Sequence, residues 1–327
     1  MKQWVVAPAE EGQRVDRVLV ARSKVSRGQV KRWIDAGALR VNGRSVVIAK
    51  WAVHIGDRLT VDDRPASESA RERQAARQFV RVLYEDTELI AIDKPAGMLV
   101  VPEEGTRAPT AIDAVRAYLR RKYPSARGTY VRALHRLDKG TSGVLLLAKA
   151  KSGEAVVQQF KRHRVLREYA AIVHGAVPKG AGTLTAPLAK GLFGRGRKAM
   201  IAAEGKPSVT HFTVEERYPQ ASLLTIRVET GRTHQIRVHL AGIGHPLLGD
   251  ELYGPPVRSA GCEVRGSKST ANIEHGTPNR RRAQLPAGRQ ALHATRLKLH
   301  HPTTGKPIDL RAPWPKDFER ALDRLRS

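Results

Sequence analysis

The reading of this chain turns on one stretch, Ala133-Leu134-His135-Arg136-Leu137-Asp138-Lys139-Gly140-Thr141-Ser142-Gly143-Val144-Leu145-Leu146-Leu147-Ala148. Residues 144–148 are apolar without interruption, the pattern of a strand buried on both faces. The residues just before them mix glycine, hydroxyl and charged side chains, which is the composition of a turn. A turn feeding a buried strand can hold a carboxylate, Asp138, at the rim of a cleft, with Thr141 and Ser142 as braces. An aspartate in a turn ordinarily hydrogen-bonds its own backbone, so the stretch needs its surroundings before it implies chemistry.

Outward from it, short strands and helices intermix. Arg81-Val82-Leu83-Tyr84 and Leu89-Ile90-Ala91-Ile92 read as strands around a Glu85-Asp86-Thr87-Glu88 turn. Thr110 and Asp113 cap a helix whose apolar stripe is Ile112, Val115 and Leu119. Ser152 opens another helix, with Val156, Val157 and Phe160 facing inward. Residues 167–173 read as a strand, and 209–218 with 222–229 alternate as a hairpin. This order predicts an α+β domain over residues 79–327. Residues 255–290 lack any apolar period and carry Arg280-Arg281-Arg282, so they are expected to form a flexible insertion that can touch RNA. Residues 63–78 are polar and read as a linker.

Residues 12–62 read as a small α/β module. Val15, Val18 and Leu19 stand at helical spacing. Ser26 and Gln29 open a second helix striped by Val30, Trp33 and Ile34 and ended by Gly37. Leu39 and Val41 lead into Asn42-Gly43, a hairpin turn signal, and residues 56–61 close the unit as a strand. Between residues 14 and 50 there are ten basic side chains against two acids, Asp16 and Asp35. Two basic helices followed by a hairpin resemble the S4 RNA-binding domain. That resemblance makes Arg27, Lys31, Arg32 and Asn42 candidate RNA contacts.

The whole chain has 58 Lys and Arg against 31 Asp and Glu, a net charge of +27 over 327 residues. Such an excess repels itself, and a polyanion offsets it by releasing condensed counterions. Nucleic acid is the partner this implies. The single cysteine, Cys262, can form no internal disulfide and offers no pair for zinc. Neither the N-terminal residues nor the short apolar run at 144–148 suits a signal peptide or a membrane span. The expectation is a soluble, cytoplasmic protein, with its oligomeric state unread and a monomer plausible. His135, His234, His239 and His245 lack metal-ligand spacing, so no metal is expected. Gly140, Gly143 and Gly231 do not make a phosphate-binding fingerprint.

A second dense segment is Glu229-Thr230-Gly231-Arg232-Thr233-His234-Gln235-Ile236-Arg237-Val238-His239-Leu240. With both segments quoted, the chain resembles the RluA family of RNA pseudouridine synthases. The His135-Arg136-Leu137-Asp138 and Thr141-Ser142-Gly143 pieces match the family's catalytic motif. Arg167-Glu168-Tyr169 matches the strand carrying its active-site tyrosine, and residues 230–239 match its third motif. Gly244-His245-Pro246 and Gly249-Asp250-Glu251-Leu252-Tyr253-Gly254 continue that motif. Asp93-Lys94-Pro95-Ala96-Gly97, Leu292-His293-Ala294 and His301-Pro302 are supporting matches. The likeness spans residues 80–312, and the 255–290 insertion is longer than the family leads one to expect.

The resemblance implies a mixed, mainly antiparallel sheet and an isomerase that needs no cofactor. It assigns Asp138, Tyr169 and Arg237 as catalytic, with Arg136, His135, Thr141, Arg232, His234 and Ile236 against RNA. Ribosomal RNA, of the large subunit foremost, is the implied substrate, and transfer RNA is an alternative. Asp138 would attack C1′ of uridine or take a sugar proton, and Arg237 would keep it ionised. Tyr169 would lie against the uracil, and Arg136 would fill the space left by a flipped base. A non-catalytic ribosome assembly factor and a nucleobase hydrolase are the competing readings. One conflict stands: Ile236, Val238 and Leu240 alternate like a strand, whereas the resemblance places them in a turn and helix.

Overall fold

The computed structural model describes residues 2–35, 38–46, 48–61, 80–103, 108–124, 130–193, 196–254, 285 and 289–327. Gly37, the expected linker at 63–78 and nearly all of the 255–290 insertion lie outside them, as does the side chain of Arg32. The described residues fall into two compact units. One lies within Met1–Phe79 and Val101–Thr129, the other within Val80–Val100 and Tyr130–Ser327.

In the first unit, helices α1 (Val15–Ser23) and α2 (Arg27–Asp35) accompany a four-stranded antiparallel sheet in the order β1-β4-β2-β3. Its strands are β1 (Lys2–Val5), β2 (Leu39–Val41), β3 (Arg44–Ser45) and β4 (Arg58–Val61). Asn42 and Gly43 take left-handed φ values of 49° and 75°, the geometry of a tight hairpin turn. The helix stripes meet the sheet in one core that includes Val15, Leu19, Val30, Trp33, Leu39 and Leu59. Ser26 Oγ accepts from Gln29 N at 3.2 Å, which caps α2. Strand β1 was not foreseen. It is a largely exposed edge strand with no buried face to pattern its sequence. Helix α3 (Ala111–Lys122) has the expected reciprocal cap, Thr110 N to Asp113 Oδ2 at 3.0 Å and Asp113 N to Thr110 Oγ1 at 3.3 Å.

The second unit is built on a ten-stranded sheet in the order β10-β13-β14-β9-β15-β8-β6-β5, with β16 on β15 and β7 on β8. The strands are β5 (Arg81–Glu85), β6 (Leu89–Lys94), β7 (Arg132–Ala133), β8 (Ser142–Ala148), β9 (Leu166–His174), β10 (Ala181–Thr185), β13 (Val209–Tyr218), β14 (Ala221–Val228), β15 (Leu292–His300) and β16 (Pro307–Arg311). A separate hairpin pairs β11 (Leu188–Phe193) with β12 (Gly196–Ile201). All pairings are antiparallel except β15 with β8, which run parallel where His293 and Ala294 meet Ser142 and Gly143. The fold is therefore α+β with a mixed, mainly antiparallel sheet. Helix α4 (Val156–Lys161), α5 (Gln235–Gly242) and α6 (Lys316–Arg326) complete the unit.

The opening stretch is resolved as read: every residue of β8 is buried. Gly143 sits at φ 110°, and a Cβ there would collide with the Ala294 carbonyl, so the parallel contact requires glycine. The 236–240 alternation proves to be helical, because Gln235, Arg237 and His239 are buried along with Ile236, Val238 and Leu240. Polar side chains on an enclosed helix mimic the outward face of a strand. Gln235 Nε2 donates to Val209 O at 2.9 Å and Thr210 Oγ1 at 3.0 Å, and His239 Nδ1 meets Thr210 Oγ1 at 3.0 Å. These bonds satisfy the polar groups that burial would otherwise penalise.

Candidate active site

Two sequence-distant segments converge on Asp138. The first is the turn into β8, closed by Thr141 N donating to Asp138 O at 3.1 Å. The second is the start of α5, where His234 caps the helix at φ 54°, a left-handed value that few side chains adopt. Gln235 Oε1 holds that turn by accepting from Thr230 Oγ1 at 2.7 Å and Arg232 N at 3.1 Å. Arg237 Nη1 then lies 3.3 Å from Asp138 Oδ2, and His234 Nε2 lies 3.9 Å from the same oxygen. The Asp138 side chain is 25% exposed, so solvent or substrate can reach it.

Arg237 is itself anchored from behind. Its Nε and Nη2 grip the buried Asp250 at 2.7 and 2.8 Å, a bidentate pair. Burial pushes the Asp250 carboxyl up, but the Arg237 guanidinium and the Tyr253 and Leu252 amides outweigh it and hold the carboxyl below its usual range. The Arg237 guanidinium also stacks 5.0 Å from the Tyr253 ring centroid. Tyr253 OH meets His234 Nδ1 at 2.9 Å and donates to Ala199 O at 3.0 Å, and burial pushes its phenol up to about 12. Asp138 therefore faces a cation whose direction is fixed by a second carboxylate.

Tyr169 lies on β9 between Ala294 of β15 and Ile226 of β14. Burial raises its phenol pKa, and the negative charge of Asp138 raises it further, while Arg167 opposes. The phenol therefore stays protonated near neutral pH.

The other predicted site residues separate into two groups. Arg136 and Arg232 are exposed, and Arg232 Nε donates to Pro207 O at 3.3 Å. Arg27 and Lys31 lie exposed on α2. By contrast, Thr141 and Ile236 lie in the interior. Thr141 is 2% exposed and its hydroxyl accepts from Gln290 Nε2 at 3.0 Å, while Ile236 joins the core around Leu224 and Leu292. His135 braces the strand: its Nε2 accepts from Leu146 N at 3.0 Å and its ring stacks on Phe160. Burial, helped by Arg167, lowers its pKa to about 3, so the ring is neutral. Asn42 serves its own turn, donating to Asp57 Oδ1 at 2.6 Å and accepting from Arg58 N at 2.8 Å.

Sequence reasoning gave no role to Lys94, Asp250, Tyr253 or Arg289. Lys94 is fully buried, and its ammonium donates to Pro95 O at 2.9 Å, Met98 O at 2.8 Å and Lys139 O at 3.2 Å. Its charge in an interior position is a signal visible only after burial is known, although the quoted Asp93-Lys94-Pro95 match pointed there. Among the described residues no cluster of three His, Cys, Asp or Glu side chains could hold a metal ion. No helix among them is long and apolar enough to cross a membrane.

The arrangement offers an accessible carboxylate, an oriented cation and a protonated phenol, which suits attack or proton transfer at a flat, polar substrate. Comparison with known proteins agrees. The family described as RNA pseudouridylate synthase matches residues 88–242, and the S4 domain matches residues 13–59. Ribosomal large subunit pseudouridine synthase D of Haemophilus influenzae is 34% identical over 98% of this chain and 94% of its own. The counterpart of the same name from Xanthomonas campestris is 35% identical over 100% of this chain and 93% of its own. The solved structure of human RNA pseudouridylate synthase domain containing 4 shares the fold, with a TM-score of 0.57 at 24% identity over 78% of this chain and 95% of that one.

Proposed function

Because the chain belongs to the RNA pseudouridylate synthase family, we propose that it isomerises specific uridines of large-subunit ribosomal RNA to pseudouridine, in the cytoplasm. The observation that carries the residue assignment is Asp138 held against Arg237, itself locked to Asp250. Isomerisation breaks the C1′–N1 bond, turns the uracil and rejoins it through C5, with release of the C5 proton. Asp138 begins this by attacking C1′ or by removing a sugar proton. Arg237, 3.3 Å from its Oδ2, sets the direction of the carboxylate. Tyr169 lies against the flipped uracil, and Arg136 fills the gap left in the RNA stack. The S4 domain supplies docking charge through Arg27, Lys31 and Arg32.

Large-subunit ribosomal RNA transcripts incubated with the protein, then digested to nucleosides, test this. The expected product is an isomer of uridine at unchanged mass, confined to a few positions. Unmodified RNA despite tight, salt-sensitive binding would favour an assembly factor, and free uracil would favour a hydrolase. Modification of transfer RNA instead would leave the chemistry and move the substrate.

A further inference from the structure

Asp138 is aimed by its backbone more than by its side chain. Its side chain accepts one long hydrogen bond, from Arg237 Nη1 at 3.3 Å, with His234 Nε2 at 3.9 Å, so much of its aim is left to the backbone. The turn that carries it, in contrast, is gripped from outside residue by residue. Lys94 takes the Lys139 carbonyl. Arg289, only 2% exposed, takes the Gly140 carbonyl through Nη1 at 2.7 Å and the Ser142 hydroxyl through Nη2 at 2.9 Å. Gln290 takes the Thr141 hydroxyl at 3.0 Å, and His293 Nδ1 meets Ser142 Oγ at 2.8 Å.

The fork of Arg289 is completed by Asp317. Nε donates to Asp317 Oδ2 at 2.9 Å, and Nη1 also reaches Gln290 O at 2.7 Å and Leu292 O at 2.9 Å. Asp317 stands in the first turn of α6, where its other oxygen accepts from Phe318 N at 2.9 Å. One planar cation thus joins the 140–142 turn, the start of β15 and the C-terminal helix. A buried guanidinium is costly to desolvate unless its donors and charge are met, and here the turn meets the donors while Asp317 meets the charge. A lysine could supply the charge but not the fork.

We propose that Arg289 and Asp317 are positioning residues for the isomerisation: Arg289 sets the Gly140–Ser142 turn that aims Asp138, and Asp317 orients Arg289. This rests on the functional reading given above. The full-length variants Arg289→Lys, Asp317→Asn and the double variant test it, with RNA affinity, single-turnover rate at saturating RNA and thermal unfolding measured on each. Misplacing a reacting group by about 1 Å costs on the order of 100-fold in rate. Arg289→Lys is therefore expected to lose about that in the saturating rate, with RNA affinity kept within about twofold. Asp317→Asn, which retains an acceptor for Nε, should lose roughly fivefold, and the double variant should be no slower than Arg289→Lys, since both act through one contact. A folded Arg289→Lys protein with a wild-type saturating rate, or a loss confined to affinity, overturns the proposal. Should Arg289→Lys fail to fold, Asp317→Ala carries the test at the less buried end of the pair, and a wild-type rate there overturns it equally. An inactive wild-type protein would instead remove the functional reading on which this rests.

Discussion

The turn at Asp138 and the outer face of α2 use charge in opposite ways. Around Asp138, the buried cations have assigned partners: Arg237 has Asp250, Lys94 has three carbonyls and Arg289 has five oxygen acceptors. On α2, Arg27 and Lys31 lie exposed to solvent on a short helix. Bond making at C1′ needs sub-ångström placement, whereas holding a polyanion needs only enough positive charge in reach. The first region should fail abruptly when one side chain changes, and the second should fade gradually.

The largest effect is expected at Asp138. Replacing it by asparagine should lower the single-turnover rate on the order of 10⁴-fold or more, the scale of losing a nucleophile or base. RNA affinity should hold, and equilibrium binding beside the rate measurement separates the two. Next comes Arg237→Ala, which strands the fully buried Asp250. Removing one partner of a buried ion pair costs about 3–5 kcal/mol, to be read from urea unfolding, and activity should fall with it.

A third test uses pH. His293 is fully buried, and burial lowers its pKa to about 4 from 6.5. The folded protein keeps the ring neutral while the unfolded chain binds a proton, so stability is lost as pH falls from 6.5 towards 4. The expected slope is about 1.4 kcal/mol per pH unit from this residue, and His293→Gln should flatten it in urea titrations across that range. The smallest effects belong to α2. Arg27→Ser and Lys31→Ser should each weaken RNA binding several-fold and lower its salt slope by about 1. The saturating rate should be untouched. An abrupt loss of rate from either change would erase the contrast between the two regions.

The legible parts of the fold were those whose signal is local. Residues 144–148 announced a buried strand, Thr110 with Asp113 a cap, and Asn42-Gly43 a turn, because each feature is set by neighbours in sequence. Helix α5 shows the limit. Its alternating pattern pointed to a strand, since period cannot distinguish an exposed polar residue from a buried one bonded to Thr210. The same limit hid the burial of Thr141 and Ile236, which depends on Gln290 and on the β9–β15 core. Arg289 was beyond reach for a related reason: Gly140 lies 149 residues from it and Ser142 lies 147. Helix α6 could have been read, since Phe318, Ala321 and Leu322 stand at helical spacing and are buried.

The most direct test of the central claim is to count two products at once from ribosomal RNA carrying tritium at uridine C5, with the wild-type protein and Asp138→Asn. The account predicts that the wild type releases tritium to water with no free uracil, and that the variant releases neither while still binding RNA. Tritium release undiminished in Asp138→Asn would contradict the assignment of the carboxylate. Free uracil from the wild type would contradict the isomerisation itself.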